Sequence, residues 1–237
     1  MTATAARVLA QLRHDPRTLA LIFVVPCALL TLLWWVYDGS PVFQTIAPAL
    51  LALFPMLIMF LVTSIATLRE RTSGTLERLL TLPLSKAGFI GGYALAFGLL
   101  ATVQAALASL LLVGPLGLRT AGPWGLLVLV AVLDALLGTA LGLCVSAFAR
   151  SEFQAVQFMP AVVLPQFLLC GLLVPRDEMP AVLEAVSRAL PLSYAVDAMS
   201  AVASDPHPAL WGDVAVVVAF IVGLLAVGAA TLRRRSA

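Results

Sequence analysis

Six stretches of this chain run for about twenty residues each with almost no charge, and that pattern leaves few folds open. They lie at about 19–37, 46–67, 89–114, 124–149, 155–174 and 210–231 and are built mostly from Leu, Ala, Val, Phe and Ile. A helix needs about 20 apolar residues to cross about 30 Å of hydrocarbon. Lipid offers the backbone no hydrogen bonds, so a spanning segment must satisfy its own, as an α-helix does. Composition agrees, with 62% hydrophobic and 11% charged residues, where a soluble domain carries about 25% charged. The first run is longer than the apolar region of a cleavable leader, and no small-x-small site follows it, so it reads as a retained span. The expected fold is all-α and polytopic, one transmembrane domain over 1–237 with six spans. Cys27, Cys144 and Cys170 all fall inside apolar runs and read as small packing residues rather than a disulfide framework.

Charge sets the orientation. With the N-terminus inside, the inner segments hold Arg7, Arg13, Arg17, Arg69, Arg71, Arg78, Lys86, Arg150 and Arg233 to Arg235. That is eleven of the 14 basic residues, against Arg119, Arg176 and Arg188 outside. Basic residues govern topology, so both termini and the loop 69–85 are expected on the cytoplasmic side. Trp34, Trp35, Tyr37, Trp124 and Trp211 stand at outer span ends, where interfacial aromatic rings collect.

Three segments outside the spans carry pattern. Residues 4–14 mix Val8, Leu9 and Leu12 with Arg7, Gln11 and Arg13, which suits an amphipathic helix on the inner surface. In the loop 69–85, Leu76, Leu79 and Leu80 share one helical face while Glu77 and Arg78 point elsewhere. Gly74 followed by Glu77 is an imperfect helix start, and Pro83 ends the segment. Two turns of such helix are marginal alone, so lipid headgroups or another protein must cover the leucines. Outside, Pro180 opens a run with Val182, Leu183, Val186 and Leu190 on one face. Pro191 breaks it, and Ser193 is expected to cap a second short helix, the pair forming a hairpin. The fifth span contains Pro160 and Pro165, which favours a kink.

Asp134 is the one acidic residue deep in a span, about ten residues or 15 Å from the outer end. A carboxylate there is costly and should face the bundle interior with a partner; Gln104, Gln157 and Gln166 are the candidate neighbours. It reads either as a proton or substrate contact or as a packing residue. Gly138, Gly142 and Ser146 follow a small-xxx-small spacing that permits close helix approach, within the chain or between copies. Phe54, Met56, Met59, Phe60, Phe158 and Met159 are core or lipid-facing residues, or else a greasy substrate surface.

Enzyme readings find no support. His14 and His207, the 2 histidines, have no metal-ligand spacing, so no catalytic residue and no metal site is expected. Lys86, the single lysine, sits in Leu-Ser-Lys-Ala-Gly, so no phosphate-binding loop of the G-x-x-x-x-G-K-[ST] kind can form. Any ATP-driven work requires a separate ATPase chain, and the charged inner loop is the natural place for it to dock.

The run Arg-Glu-Arg-Thr-Ser-Gly-Thr-Leu-Glu-Arg-Leu-Leu-Thr-Leu-Pro-Leu-Ser (69–85) resembles the cytoplasmic loop of type-2 ABC exporter permeases, the group that includes daunorubicin-resistance permeases. Ala189-Leu-Pro-Leu-Ser-Tyr-Ala-Val-Asp-Ala-Met199 is similar to that family's stretch before the last span. The resemblance implies a half-transporter in a bacterial plasma membrane that pairs with a second copy or a paralogue and binds two cytosolic ABC ATPase subunits. ATP and Mg would reside on those subunits, with no cofactor in this chain and no nucleic acid among its partners. It further implies that the N-terminal helix is an elbow helix and the inner loop a coupling helix. Glu70, Arg71, Gly74, Thr75, Glu77 and Arg78 would then lie in or beside the ATPase contact, and Pro191, Tyr194 and Asp197 would belong to the outer hairpin. Family members usually carry Asn before that proline, where this chain has Ala189-Leu190. The implied activity is export of a hydrophobic or amphipathic substrate, such as a drug, lipid or glycoconjugate, by alternating access. Two other readings stand beside it: a proton-coupled secondary transporter using Asp134, and a membrane assembly subunit with no transport path.

Overall fold

The computed structural model describes residues 2–37, 40–72 and 86–231, and every regular element among them is helical. In order they are α1 (Thr2–Arg13), α2 (Pro16–Tyr37), α3 (Pro41–Thr72), α4 (Lys86–Val113), α5 (Trp124–Val145), α6 (Glu152–Leu169), a 3-10 turn (Arg176–Glu178), α7 (Ala181–Ser187), α8 (Pro191–Ser204) and α9 (Trp211–Thr231). Among the described residues five helices are long and apolar enough to cross a membrane: α2, α3 over Pro41–Arg71, α4 over Ile90–Val113, α5 and α9.

α5 is the hub. It packs against α3, α4, α8 and α9, and Asp134, Leu137, Thr139 and Leu143 along it are all buried. Gly138 and Gly142 make this possible. A Cβ on Gly142 would stand 2.6 Å from the Phe60 carbonyl oxygen of α3, and one on Gly138 would run into the Met56 backbone. The small-xxx-small stripe therefore serves packing within the chain. Met56, Met59 and Phe60 are fully buried in that seam. α2 and α9 lie at the edge, with Val24, Leu32, Val222 and Val227 exposed as lipid-facing residues are.

The fifth apolar stretch differs from expectation. α6 runs for 18 residues, about 27 Å by helix rise, and contains Glu152, Gln154, Gln157 and Gln166; it is not among the helices long and apolar enough to span. It stops at Leu169 because Cys170 is its C-cap and Gly171 follows at φ 92, the left-handed position where glycine ends helices. The expected hairpin helices form, but with another cap. Pro191 occupies the first turn of α8, Leu190 is the N-cap, and no side chain caps it, in keeping with proline's fit at that position. Ser193 instead lies inside α8, buried, with its hydroxyl within 3.4 Å of the Leu169 carbonyl and 3.2 Å of the Ser187 hydroxyl. Ser187 donates to the same carbonyl at 2.8 Å, and the Leu192 N–H donates to Gln166 Oε1 at 3.3 Å. A helix end leaves carbonyls without partners and a helix start leaves N–H groups; here the end of α6 and the start of α8 supply each other.

Gln104 solves a similar problem in α2. Pro26 lies inside that helix and has no N–H to give to Ile22 four residues back. Gln104 of α4 donates its Nε2 to that carbonyl at 2.8 Å. Gln104→Leu should lower stability by about 1–3 kcal/mol through the orphaned carbonyl. In a Pro26→Ala background, which restores the backbone N–H, the same change should cost much less. Thermal unfolding of the four proteins in detergent reads the difference, and equal costs in both backgrounds would refute this pairing.

Candidate functional site

α3 is 32 residues long, about 48 Å by helix rise, more than hydrocarbon about 30 Å thick requires. Its last turns therefore run past the apolar stretch and carry Arg69, Glu70 and Arg71, immediately before the loop that resembles a coupling segment. Two clasps hold this end. On one side α1 packs against α4 with Val8 and Leu12 buried, which brings its polar face to Glu70. Arg7 donates from Nη1 to both Glu70 carboxylate oxygens, at 3.2 and 3.3 Å, and from Nη2 to the Tyr93 hydroxyl of α4 at 3.0 Å. Gln11 adds a bond from Nε2 to Glu70 Oε1 at 3.2 Å. The Glu70 side chain is only 13% exposed and that of Arg7 30%, so this ion pair is more shielded from solvent than a surface pair.

On the other side Arg69 reaches α6. Its Nε and Nη2 donate to the two Glu152 oxygens at 2.7 and 3.0 Å, the two-pronged geometry that makes arginine–carboxylate pairs directional. Those hydrogen bonds hold the Glu152 carboxyl below its ordinary range. Ser151 caps α6 by accepting from the Gln154 N–H at 3.2 Å, and Glu152 in that first turn also favours the positive end of the helix dipole. Helices α1, α4 and α6 thus meet one end of α3, so a force on residues just beyond Thr72 would reach all three.

Glu70 and Arg71 stand at this junction, Arg71 partly buried. Gly74, Thr75, Glu77 and Arg78, with the expected short helix, lie outside the described residues. Arg7, Gln11, Tyr93 and Glu152 are the partners that sequence reasoning missed. The sequence does hint at Arg7 and Gln11, which are four residues apart on the polar face of α1.

The intramembrane polar residues do not converge. Asp134 is fully buried midway along α5, and neither carboxyl oxygen has a hydrogen-bond partner among the described residues. Gln104 serves Ile22, Gln166 serves Leu192, and Gln157 is exposed. At the opposite end of the bundle Arg176 forms an ion pair with Asp197 and lies 5.3 Å from the Tyr194 ring centroid, a cation–π distance. The Tyr194 hydroxyl donates to the Arg188 carbonyl at 2.6 Å. Tyr194 and Asp197, three residues apart on α8, thereby fasten the turn after α6 to the hairpin, while Pro191 starts the helix that presents them.

Residues 1–203 match the family described as ABC-2 type transporter. Over 167 residues the chain is 28% identical to a probable multidrug ABC transporter permease, YbhS, of Escherichia coli (strain K12), covering 70% of this chain and 44% of that protein. It is 29% identical over 147 residues to the inner membrane transport permease YhhJ of the same organism, covering 62% of this chain and 39% of that one. It is 27% identical over 161 residues to ABC transporter G family member 20 of Dictyostelium discoideum, covering 68% of this chain and 22% of that protein. The matched stretch is thus less than half of each relative's own length.

Proposed function

The chain belongs to the ABC-2 type transporter family, and on that premise we propose that it is the transmembrane half of an ATP-driven exporter. ATP is bound and hydrolysed by cytosolic ATPase subunits, and a second copy or a paralogue completes the pathway. Six spans cross a bacterial inner membrane with both termini cytoplasmic, α6 being the fifth span and α1 an elbow helix at the inner surface. The substrate is a hydrophobic or amphipathic molecule, as the word multidrug in the names of similar proteins suggests for them.

The observation that carries the reading is the clasped end of α3. A transmitter must move as a unit with the helices it drives, and a coupling segment in the loop 69–85 would be rooted where Glu70 is bound to Arg7 of α1, itself bonded to Tyr93 of α4, and Arg69 to Glu152 of α6. ATP binding closes the ATPase dimer, the coupling segment follows, and the movement passes to α3 and α4, the second and third spans. Such a movement is driven only to the extent that the ATPase contacts differ between the two states. Charge reversal of Glu77 together with Arg78 should abolish co-purification of the ATPase while membrane insertion is retained; unchanged co-purification would overturn this docking site.

Asp134 favours a second reading. A buried carboxyl without a hydrogen-bond partner among the described residues is the kind of group that proton-coupled carriers use. Asp134→Asn separates the two. Under the ATP-driven reading export persists and depends on the co-expressed ATPase, whereas under proton coupling it is lost and no ATPase is needed.

A further inference from the structure

α6 turns outward a face unlike those of the other helices. α2 and α4 expose Leu32 and Leu99, and the exposed threonines among them bond to their own backbone. Thr31 donates to the Cys27 carbonyl and Thr102 to the Gly98 carbonyl, each at 2.8 Å. On α6, Phe153, Gln157, Pro160, Leu164 and Leu168 are exposed, at spacings of three and four residues that keep them on one face. The side-chain amide of Gln157 makes no hydrogen bond among the described residues.

A second polar group opens on that face. Pro160 lies inside α6 and has no N–H to give to the Val156 carbonyl four residues back. Val156 and Pro160 are both exposed, so the freed carbonyl faces outward with them, and no side chain among the described residues donates to it. Gln157 is about 8 Å along the helix from Glu152, on the apolar side of the charged rim. Hydrocarbon has no partner for either group, so whatever covers this face must bring a donor and an acceptor.

The chain already solves one such problem internally, where the Gln104 amide serves the Ile22 carbonyl that Pro26 frees. α6 carries both halves of that device on adjacent residues, which helix geometry keeps from meeting each other. Donor and acceptor on one face at one depth are self-complementary. A two-fold axis along the membrane normal keeps two copies in the same orientation and sets equal depths opposite each other.

We propose that α6 is the face at which two copies of this chain meet, Gln157 of each donating its side-chain amide to the Val156 carbonyl of the other, with Phe153, Leu164 and Leu168 packing around the pair. The inference rests on the reading of this chain as half of a two-part transporter with α6 as a span. It adds which surface pairs, and that the partner is a second copy. A paralogue lacking a glutamine and a proline-freed carbonyl at this depth would leave both groups unmet.

Disulfide trapping in membranes tests the surface, with Cys27, Cys144 and Cys170 replaced by alanine. Gln157→Cys should cross-link two copies on mild oxidation, since α-carbons within about 7 Å can be bridged, whereas Leu99→Cys on α4 should not. Dilution of labelled chains in liposomes, with copies counted by photobleaching, tests the bond. Gln157→Leu should weaken pairing about tenfold. In a Pro160→Ala background, where the Val156 carbonyl regains its own N–H, the same change should weaken pairing much less. No cross-link at Gln157, one as strong at Leu99, or pairing unaffected by Gln157→Leu would overturn this interface while two copies still complete the pathway. A chain that stays monomeric would overturn it too, leaving the pathway to a paralogue. Cross-linking at Gln157 in a chain whose export ignores the ATPase would uphold the interface and strike the ATP-driven reading instead.

Discussion

Gly138→Ala should destabilise the bundle by about 1–3 kcal/mol or more, the cost of forcing extra volume into a packed core. The added methyl would meet the backbone of Met56, carbonyl included, rather than the yielding end of a side chain. α3 cannot retreat without disturbing the seam that buries Met59 and Phe60 beside it. Gly142→Ala should behave alike, since its Cβ would sit 2.6 Å from the Phe60 oxygen and 3.0 Å from the Ser64 nitrogen. Gly125 is the control, in the same helix with nothing within 4 Å of an added Cβ. Gly125→Ala should be neutral or, through alanine's better helix propensity, stabilising by up to about 1 kcal/mol. Thermal unfolding in detergent ranks the three. Melting of Gly138→Ala at the temperature of Gly125→Ala would mean that α3 and α5 do not approach as closely in solution.

On the exporter reading proposed above, reversing Glu70 to arginine should cut ATP-dependent export about tenfold or more. The change places a third guanidinium beside Arg7 and Arg69 and removes the carboxylate that Arg7 and Gln11 hold. Hydrogen bonds to charged groups contribute about 1.5–3 kcal/mol each, enough to free α1 from the end of α3. The double swap Arg7→Glu with Glu70→Arg should restore much of the activity, because the pair is remade and the Tyr93 hydroxyl can turn from acceptor to donor. Glu70 acting chiefly on an ATPase surface predicts the opposite, a double swap as inactive as the single reversal. Export assayed with the ATPase co-expressed distinguishes the two outcomes.

Glu70 also shows where sequence reasoning reached and where it stopped. The polar face of α1 and the charged end of α3 were each legible, and the resemblance placed Glu70 near a coupling segment. That these two surfaces meet, 63 residues apart in the chain, was not legible. Gln104 teaches the same lesson. As a glutamine in a span it reads as a candidate neighbour of Asp134, yet its amide completes a hydrogen bond that Pro26 breaks 78 residues earlier in the chain. Ser193 stood where a cap was expected, but proline at the helix start left the serine free to face the end of α6.

The amino-acid order alone determined the kind of molecule this is. Apolar runs of about twenty residues cross lipid as helices, each closing its own backbone hydrogen bonds, and among the described residues five helices are long and apolar enough to span. Tertiary structure alone decided which faces touch, which lone carbonyl receives which amide, and that the fifth stretch ends early at Gly171. The reason is physical. Helix formation is a local matter of hydropathy and hydrogen bonding along one segment, whereas helix pairing in a medium as apolar as the side chains themselves is settled by shape and a few polar contacts between distant segments.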